Sequence, residues 1–291
     1  MTTLPAWTTP TGAKHCVSMT DSPVLLTYPV REVIPYISWG YFFHAWGFKG
    51  NATRSPEAQQ LQADALHMLD EWAGRLHVRC LYRLCRANAD GDNILLEGNT
   101  LFPLLRQQTP HADGSPLLCL SDFIRPLSCG TPDTIGLFAS SVADDLALSH
   151  DPYRQLLLQT LSDRLAEAAV EKMHRHVRRK AWGYAPDESL SIPDLLAERF
   201  QGIRPAVGYP SLPDQSVNFL LDDLLDLKRI GITLTENGAM HPHSSVSGLM
   251  LAHPAARYFS VGPIGEDQLC DYAHRRGLPV GMMRKFLAGV L

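Results

Sequence analysis

The residues from Gln201 to Pro210 read Gln-Gly-Ile-Arg-Pro-Ala-Val-Gly-Tyr-Pro and set one arginine, Arg204, in a loop punctuated by two prolines and two glycines. Each proline fixes φ, and each glycine allows backbone conformations that other residues resist. An arginine held this way presents a planar fork of donors with little rotamer freedom left to lose, which suits the capture of a carboxylate. A surface loop whose arginine pairs with a nearby acid is the other reading of the same residues.

Other chemistry is sparse. No Gly-x-Gly-x-x-Gly opens a helix, and the chain has neither a phosphate loop nor a Gly-x-Ser-x-Gly elbow. The six cysteines form no Cys-x-x-Cys pair and read as reduced thiols rather than metal ligands. His174-x-His176 lies in helical sequence, where positions two apart point about 200° from each other and do not readily share an ion. His241-x-His243 offers no foreseeable third ligand. Asn88, Asp90 and Asp92 lack the bidentate glutamate of an EF-hand loop.

A chain of 291 residues that is 45% hydrophobic can bury a large core. A net charge of −4 and a pI near 6.3 point away from nucleic acid, which calls for a basic face. No stretch approaches the roughly 20 apolar residues of a membrane helix, so no membrane partner is expected. The Pro- and Thr-rich N-terminus has no basic segment followed by an apolar run, and the expected location is the cytoplasm.

The elements that must position the arginine are readable in part. Residues 1–30 are expected as an extended arm, and 31–291 as one domain. The aromatic cluster from Tyr36 to Gly47 reads as core rather than as a stacking surface. Ser55 caps a helix that begins at Pro56 and carries Leu61, Ala65, Met68, Leu69, Trp72 and Leu76 on one face. Residues 78–87 and 94–96 read as a hairpin closed at Asp90-Gly91. A central helix of about thirty residues runs from the cap Asp151 to near Lys180, with Leu156, Leu157, Leu161, Leu165, Ala168, Ala169, Met173 and Val177 as its apolar stripe. Its cationic end (Lys172, Arg175, Arg178, Arg179, Lys180) reads as a solvated face that complements the helix dipole. Further helices are expected over 217–229, 191–200 and 266–276, and strands over 233–236, 246–251 and 258–261. Helices and strands do not alternate regularly. The expected class is α+β, a single domain with long central helices packed on an antiparallel or mixed sheet.

A series of segments in one order gives these pieces a precedent: Leu105-Arg106-Gln107-Gln108-Thr109, Leu120-Ser121-Asp122-Phe123, Ile135-Gly136-Leu137-Phe138-Ala139, Asp163 to Ala168, Trp182 to Glu188, the arginine loop, Ser245-Val246-Ser247-Gly248 and His253-Pro254. Together they resemble the activation domain of cobalamin-dependent methionine synthase, from about Ile34 to the C-terminus. That family binds S-adenosylmethionine during reductive reactivation of cobalamin. The resemblance implies that Arg204 pairs with the ligand carboxylate and that Asp122 takes its ammonium or a sugar hydroxyl. It implies backbone contacts from Pro205, Ala206 and Val207, with Tyr258 and Phe259 at the nucleoside end. Phe259 stands where the family often has a second tyrosine, so stacking is kept and a hydroxyl is lost. Glu167 and Glu198 either place negative charge near the sulfonium or are helix-surface acids. Tyr209 is expected to face the corrin.

Two segments depart from the family. His241-Pro242-His243-Ser244 replaces a segment that usually begins with tryptophan before proline, and Leu249-Met250 replaces an aromatic pair. Both are expected to reshape a partner-facing surface. No Asp-x-His-x-x-Gly motif supplies an axial ligand to cobalt, so cobalamin is expected to arrive on another protein. The family's usual setting is the C-terminal part of a longer chain, whereas this sequence begins with the module. The expectation is therefore a reactivation subunit acting in trans on a cobalamin-binding methionine synthase chain, with a flavodoxin-like electron donor. The alternative is an activator or docking module for a different corrinoid methyltransferase, with or without use of S-adenosylmethionine.

Overall fold

A computed structural model describes residues 19–142 and 150–291. Their order is β1 (Val24–Pro29), α1 (Val30–Val33), α2 (Trp39–Ala45), α3 (Pro56–Trp72), β2 (His77–Asp90), β3 (Asn93–Leu96), β4 (Leu101–Pro103), β5 (Asp133–Val142), α4 (Pro152–His176), α5 (Ile192–Leu196), α6 (Val217–Leu225), β6 (Thr233–Leu234), β7 (Met240–His241), β8 (Ser245–Met250), α7 (Glu266–Arg276) and α8 (Val280–Phe286). Most of the segment expected as an arm lies outside the described residues. Its residues 24–29 form β1, an edge strand paired with β2 from Val24↔Tyr82 to Pro29↔His77.

The main sheet is antiparallel throughout, in the order β4-β3-β2-β5-β8, with β1 sharing one edge of β2 with β3. Both of its faces are covered, and the period-two alternation of side chains divides the core. Val78, Cys80, Tyr82 and Leu84 of β2, with Phe138 and Val142 of β5, pack under α3 and α4. Leu81, Cys85 and Ala87, with Ile135, Leu137 and Ala139, pack on the other side against α6 and the arginine loop. A third cluster joins α7 and α8 to Leu105, Val261 and Ile264. Each fully buried Leu, Ile or Val contributes about 1.5–3 kcal/mol.

The caps explain the helix starts. Ser55 Oγ accepts from the Ala58 N–H at 3.2 Å, and Asp151 Oδ1 accepts from the Tyr153 N–H at 3.0 Å. Helix α4 continues as a π-helical turn over Val177–Ala181, close to the expected length. Leu156, placed on its apolar stripe by periodicity, is instead exposed. The helix expected to reach Arg229 stops at Leu225, because Asp226 takes a left-handed conformation (φ 55°), and a 3-10 turn over Leu227–Ile230 follows.

Residues 258–261 are not a strand. Their backbone is spent on the arginine loop: Phe259 N–H donates to Ser211 Oγ, and Val261 N–H to Pro210 O. Leu249 and Met250, expected at a partner-facing surface, are fully buried, with Met250 packed against Gly136. No helix among the described residues is long and apolar enough to cross a membrane.

Candidate functional site

The arginine loop is laid along β8. Ile203 and Leu251 exchange backbone hydrogen bonds at 2.9 Å, Leu249 N–H donates to Pro205 O at 3.0 Å, and Val207 N–H donates to Ser247 O at 2.9 Å. The approach is so close that a Cβ on Gly248 would stand 2.2 Å from Pro205 O and 2.9 Å from Ala206 Cα. Gly202 at φ +86° and Gly208 at φ +85° turn the chain into and out of this segment. Successive side chains then face opposite ways: Ala206 toward the α3/α4 layer, Val207 into the opposite core.

Helix α4 meets this loop with a polar stripe. Arg164, Glu167, Glu171 and His174, with Arg178 in the π-helical turn, follow spacings of three, four, three and four, which place them on one face. Glu171 accepts a hydrogen bond from Arg204 Nη2 and is only 3% exposed. Tyr258 Oη accepts from the Arg204 backbone N–H at 3.1 Å, so the arginine is fixed at both ends. Glu167 receives Arg164 Nη1 at 2.9 Å and Tyr209 Oη at 2.7 Å.

Behind them, Arg178 is fully buried, not solvated as its place in the cationic helix end suggests. It forms a two-pronged pair with Glu188 at 2.7 and 2.8 Å and stacks 4.0 Å from the Phe200 ring centroid. His174 packs edge-on against the same ring.

Loop and stripe enclose a cavity of about 600 Å3. Its lining includes Arg204, Pro205, Ala206, Tyr209, Glu167, Glu198, Tyr258 and Phe259, eight of the ten residues expected from sequence. An adjoining recess of about 220 Å3 adds Tyr36, Ser38 and Glu171. The aromatic cluster is both core and wall: Phe42 and Phe43 are buried, while Tyr41 is exposed and lines the cavity.

Two expected residues are not brought to the cavity. Val207 is buried in the core, and its N–H is already bonded to Ser247. Asp122 does not line the cavity. Its carboxylate takes Arg106 Nη1 and Nη2 at 2.8 and 2.7 Å and the Cys119 N–H at 2.8 Å, so its lone pairs are largely spent.

Glu198 sits at φ +54° just past α5, a position usually given to glycine, and it lines both the cavity and the recess. Burial raises its pKa above the ordinary carboxylate range and neighbouring Glu171 adds to this, while Arg204 opposes it. Tyr209 is also pushed up, by burial first and then by Glu167.

Two cations, Arg164 and Arg204, thus face three acids, Glu167, Glu171 and Glu198, beside Phe138, Tyr258 and Phe259. Such a lining suits a ligand with a carboxylate, a cationic centre and an aromatic end. Glu171 was not foreseen, because one more glutamate on a helix reads as a surface acid. The signal that could have found it is the three-four spacing of the polar stripe.

The profile of a family described as the vitamin B12 dependent methionine synthase activation domain matches residues 29–277. A crystal structure described as the MetH reactivation domain bound to AdoHcy superposes with a TM-score of 0.86 at 36% sequence identity, covering 94% of this chain and 92% of that one.

Proposed function

The chain belongs to the family of vitamin B12-dependent methionine synthase activation domains, and from that premise we propose that its cavity binds S-adenosylmethionine to serve the reductive methylation of cobalamin held by a partner protein. The observation that carries the reading is the position of Arg204, which Glu171 and Tyr258 hold at the wall of a cavity shared with Glu167, Glu198 and Phe259.

In this reading Arg204 takes the ligand carboxylate. Glu198 and Glu167 place negative charge near the ammonium and sulfonium. Pro205 and Ala206 supply backbone contacts, and Tyr258 and Phe259 flank the nucleoside. Asp122 and Val207 have no assigned contact. Tyr209, half exposed at the cavity, faces the partner's corrin.

Cobalamin held by the partner would supply the nucleophile once a flavodoxin-like donor had provided one electron, the methyl group coming from the sulfonium and S-adenosylhomocysteine being left. This chain's own residues would then contribute positioning and charge rather than a general base. Cys80, Cys85, Cys119, Cys129 and Cys270 are free thiols, which suits the reducing cytoplasm.

The test mixes this chain with a cob(II)alamin-loaded methionine synthase lacking the module, S-adenosylmethionine and a reduced flavodoxin system, and follows the visible spectrum. Formation of methylcobalamin only when this chain is present supports action in trans. Intact ligand binding without conversion redirects the partner assignment to another corrinoid methyltransferase.

A further inference from the structure

Arg204 and Glu171 each keep one buried polar atom without a hydrogen-bond partner among the described residues: Nε of the arginine and Oε1 of the glutamate. These two atoms would form the second rung of a side-on fork whose first rung, Nη2 to Oε2, is already in place. A planar guanidinium gripped along its Nε/Nη2 edge offers Nη1 as its remaining nitrogen. Arg204 Nη1 is not among the buried unpartnered atoms, and the side chain opens onto both the cavity and the recess.

We propose that Glu171 is a positioning residue: it grips the Nε/Nη2 edge of Arg204 and so turns the Nη1 end toward the carboxylate of the ligand. The proposal rests on reading the cavity as an S-adenosylmethionine site. Glu171 acts through Arg204, and its effect is confined to ligands that carry a carboxylate. It also leaves the cation compensated before a ligand arrives, which an isolated buried guanidinium would not be.

The test compares two nucleoside thioethers by calorimetry. S-adenosylhomocysteine carries the amino-acid end, and 5′-methylthioadenosine lacks it. Glu171→Ala is expected to weaken the first about tenfold or more and to leave the second within about threefold. Glu171→Gln keeps one acceptor for Nη2, so its loss is smaller and equally selective; it serves as the second variant if Glu171→Ala does not fold. In an Arg204→Gln background, Glu171→Ala has no further effect. Equal weakening of both ligands, or of neither, overturns the proposal. A wild-type chain that binds neither ligand overturns the reading of the cavity itself, a different result from binding that is insensitive to Glu171.

Discussion

The Tyr209 hydroxyl donates to Glu167 Oε1 at 2.7 Å, tying the end of the arginine loop to helix α4 across 42 positions of sequence. Burial and then this carboxylate keep the phenol from ionising at its ordinary pH. An ultraviolet difference titration of wild type against Tyr209→Phe isolates this one tyrosine. Its ionisation is expected above the ordinary tyrosine range, and Glu167→Gln is expected to bring it down. An unshifted phenol in wild type contradicts the link.

Gly248 is where β8 admits the arginine loop. Gly248→Ala places a methyl group against Pro205 O, Ala206 and Phe138. The crowding is expected to cost about 1–3 kcal/mol in urea unfolding. Because the loop must lift, S-adenosylhomocysteine affinity falls as well. Full stability in the variant would mean that the loop does not sit this close.

Arg178→Ala leaves Glu188, only 6% exposed, as an uncompensated buried charge. Unfolding measurements are expected to show a loss of about 3–5 kcal/mol. Removing the exposed Arg154 partner of Glu71 serves as the control and is expected to cost less than about 1 kcal/mol. Similar losses at the two sites would contradict the burial assigned to Arg178.

Glu198 sets a pH dependence whose sign is fixed. Its folded pKa is raised, so the folded state holds this proton more tightly than the unfolded chain. The contribution to stability is fully present below the unfolded carboxylate value and is lost as pH rises through the folded one. A cationic ligand prefers the ionised form, so S-adenosylmethionine affinity is expected to weaken as pH falls through the same window. Denaturation and calorimetry across that window should both flatten in Glu198→Gln. An unchanged slope would assign the dependence to another group.

What was legible in the sequence follows from how locally each feature is encoded. Ser55 with Pro56 and Asp151 with Pro152 mark helix starts by their own chemistry, and the structure places both caps there. Strand β5 carries no alternation to read, because its residues from Ile135 to Val142 are buried on both faces. The segment from Tyr258 to Val261 has strand-like residues, yet its hydrogen bonds go to a loop some fifty residues earlier. Arg178 and Glu171 look like helix-surface charges until Glu188 and Arg204 are brought beside them. Asp122 sits in a recognisable segment, but Arg106 claims its carboxylate. Local signals therefore marked the helix caps and the arginine loop, the residues expected around the cavity came from the family resemblance, and the partners of buried charges depended on tertiary contacts.

The proposed site depends on Arg204 holding the carboxylate of S-adenosylmethionine in this cavity. The direct measurement is calorimetric titration of wild type and Arg204→Gln with S-adenosylmethionine, with thermal melts to show that both are folded. Saturable one-to-one binding by wild type is expected, with an affinity lower by about tenfold or more in the variant. Equal affinities, or no binding by the folded wild-type chain, would contradict it.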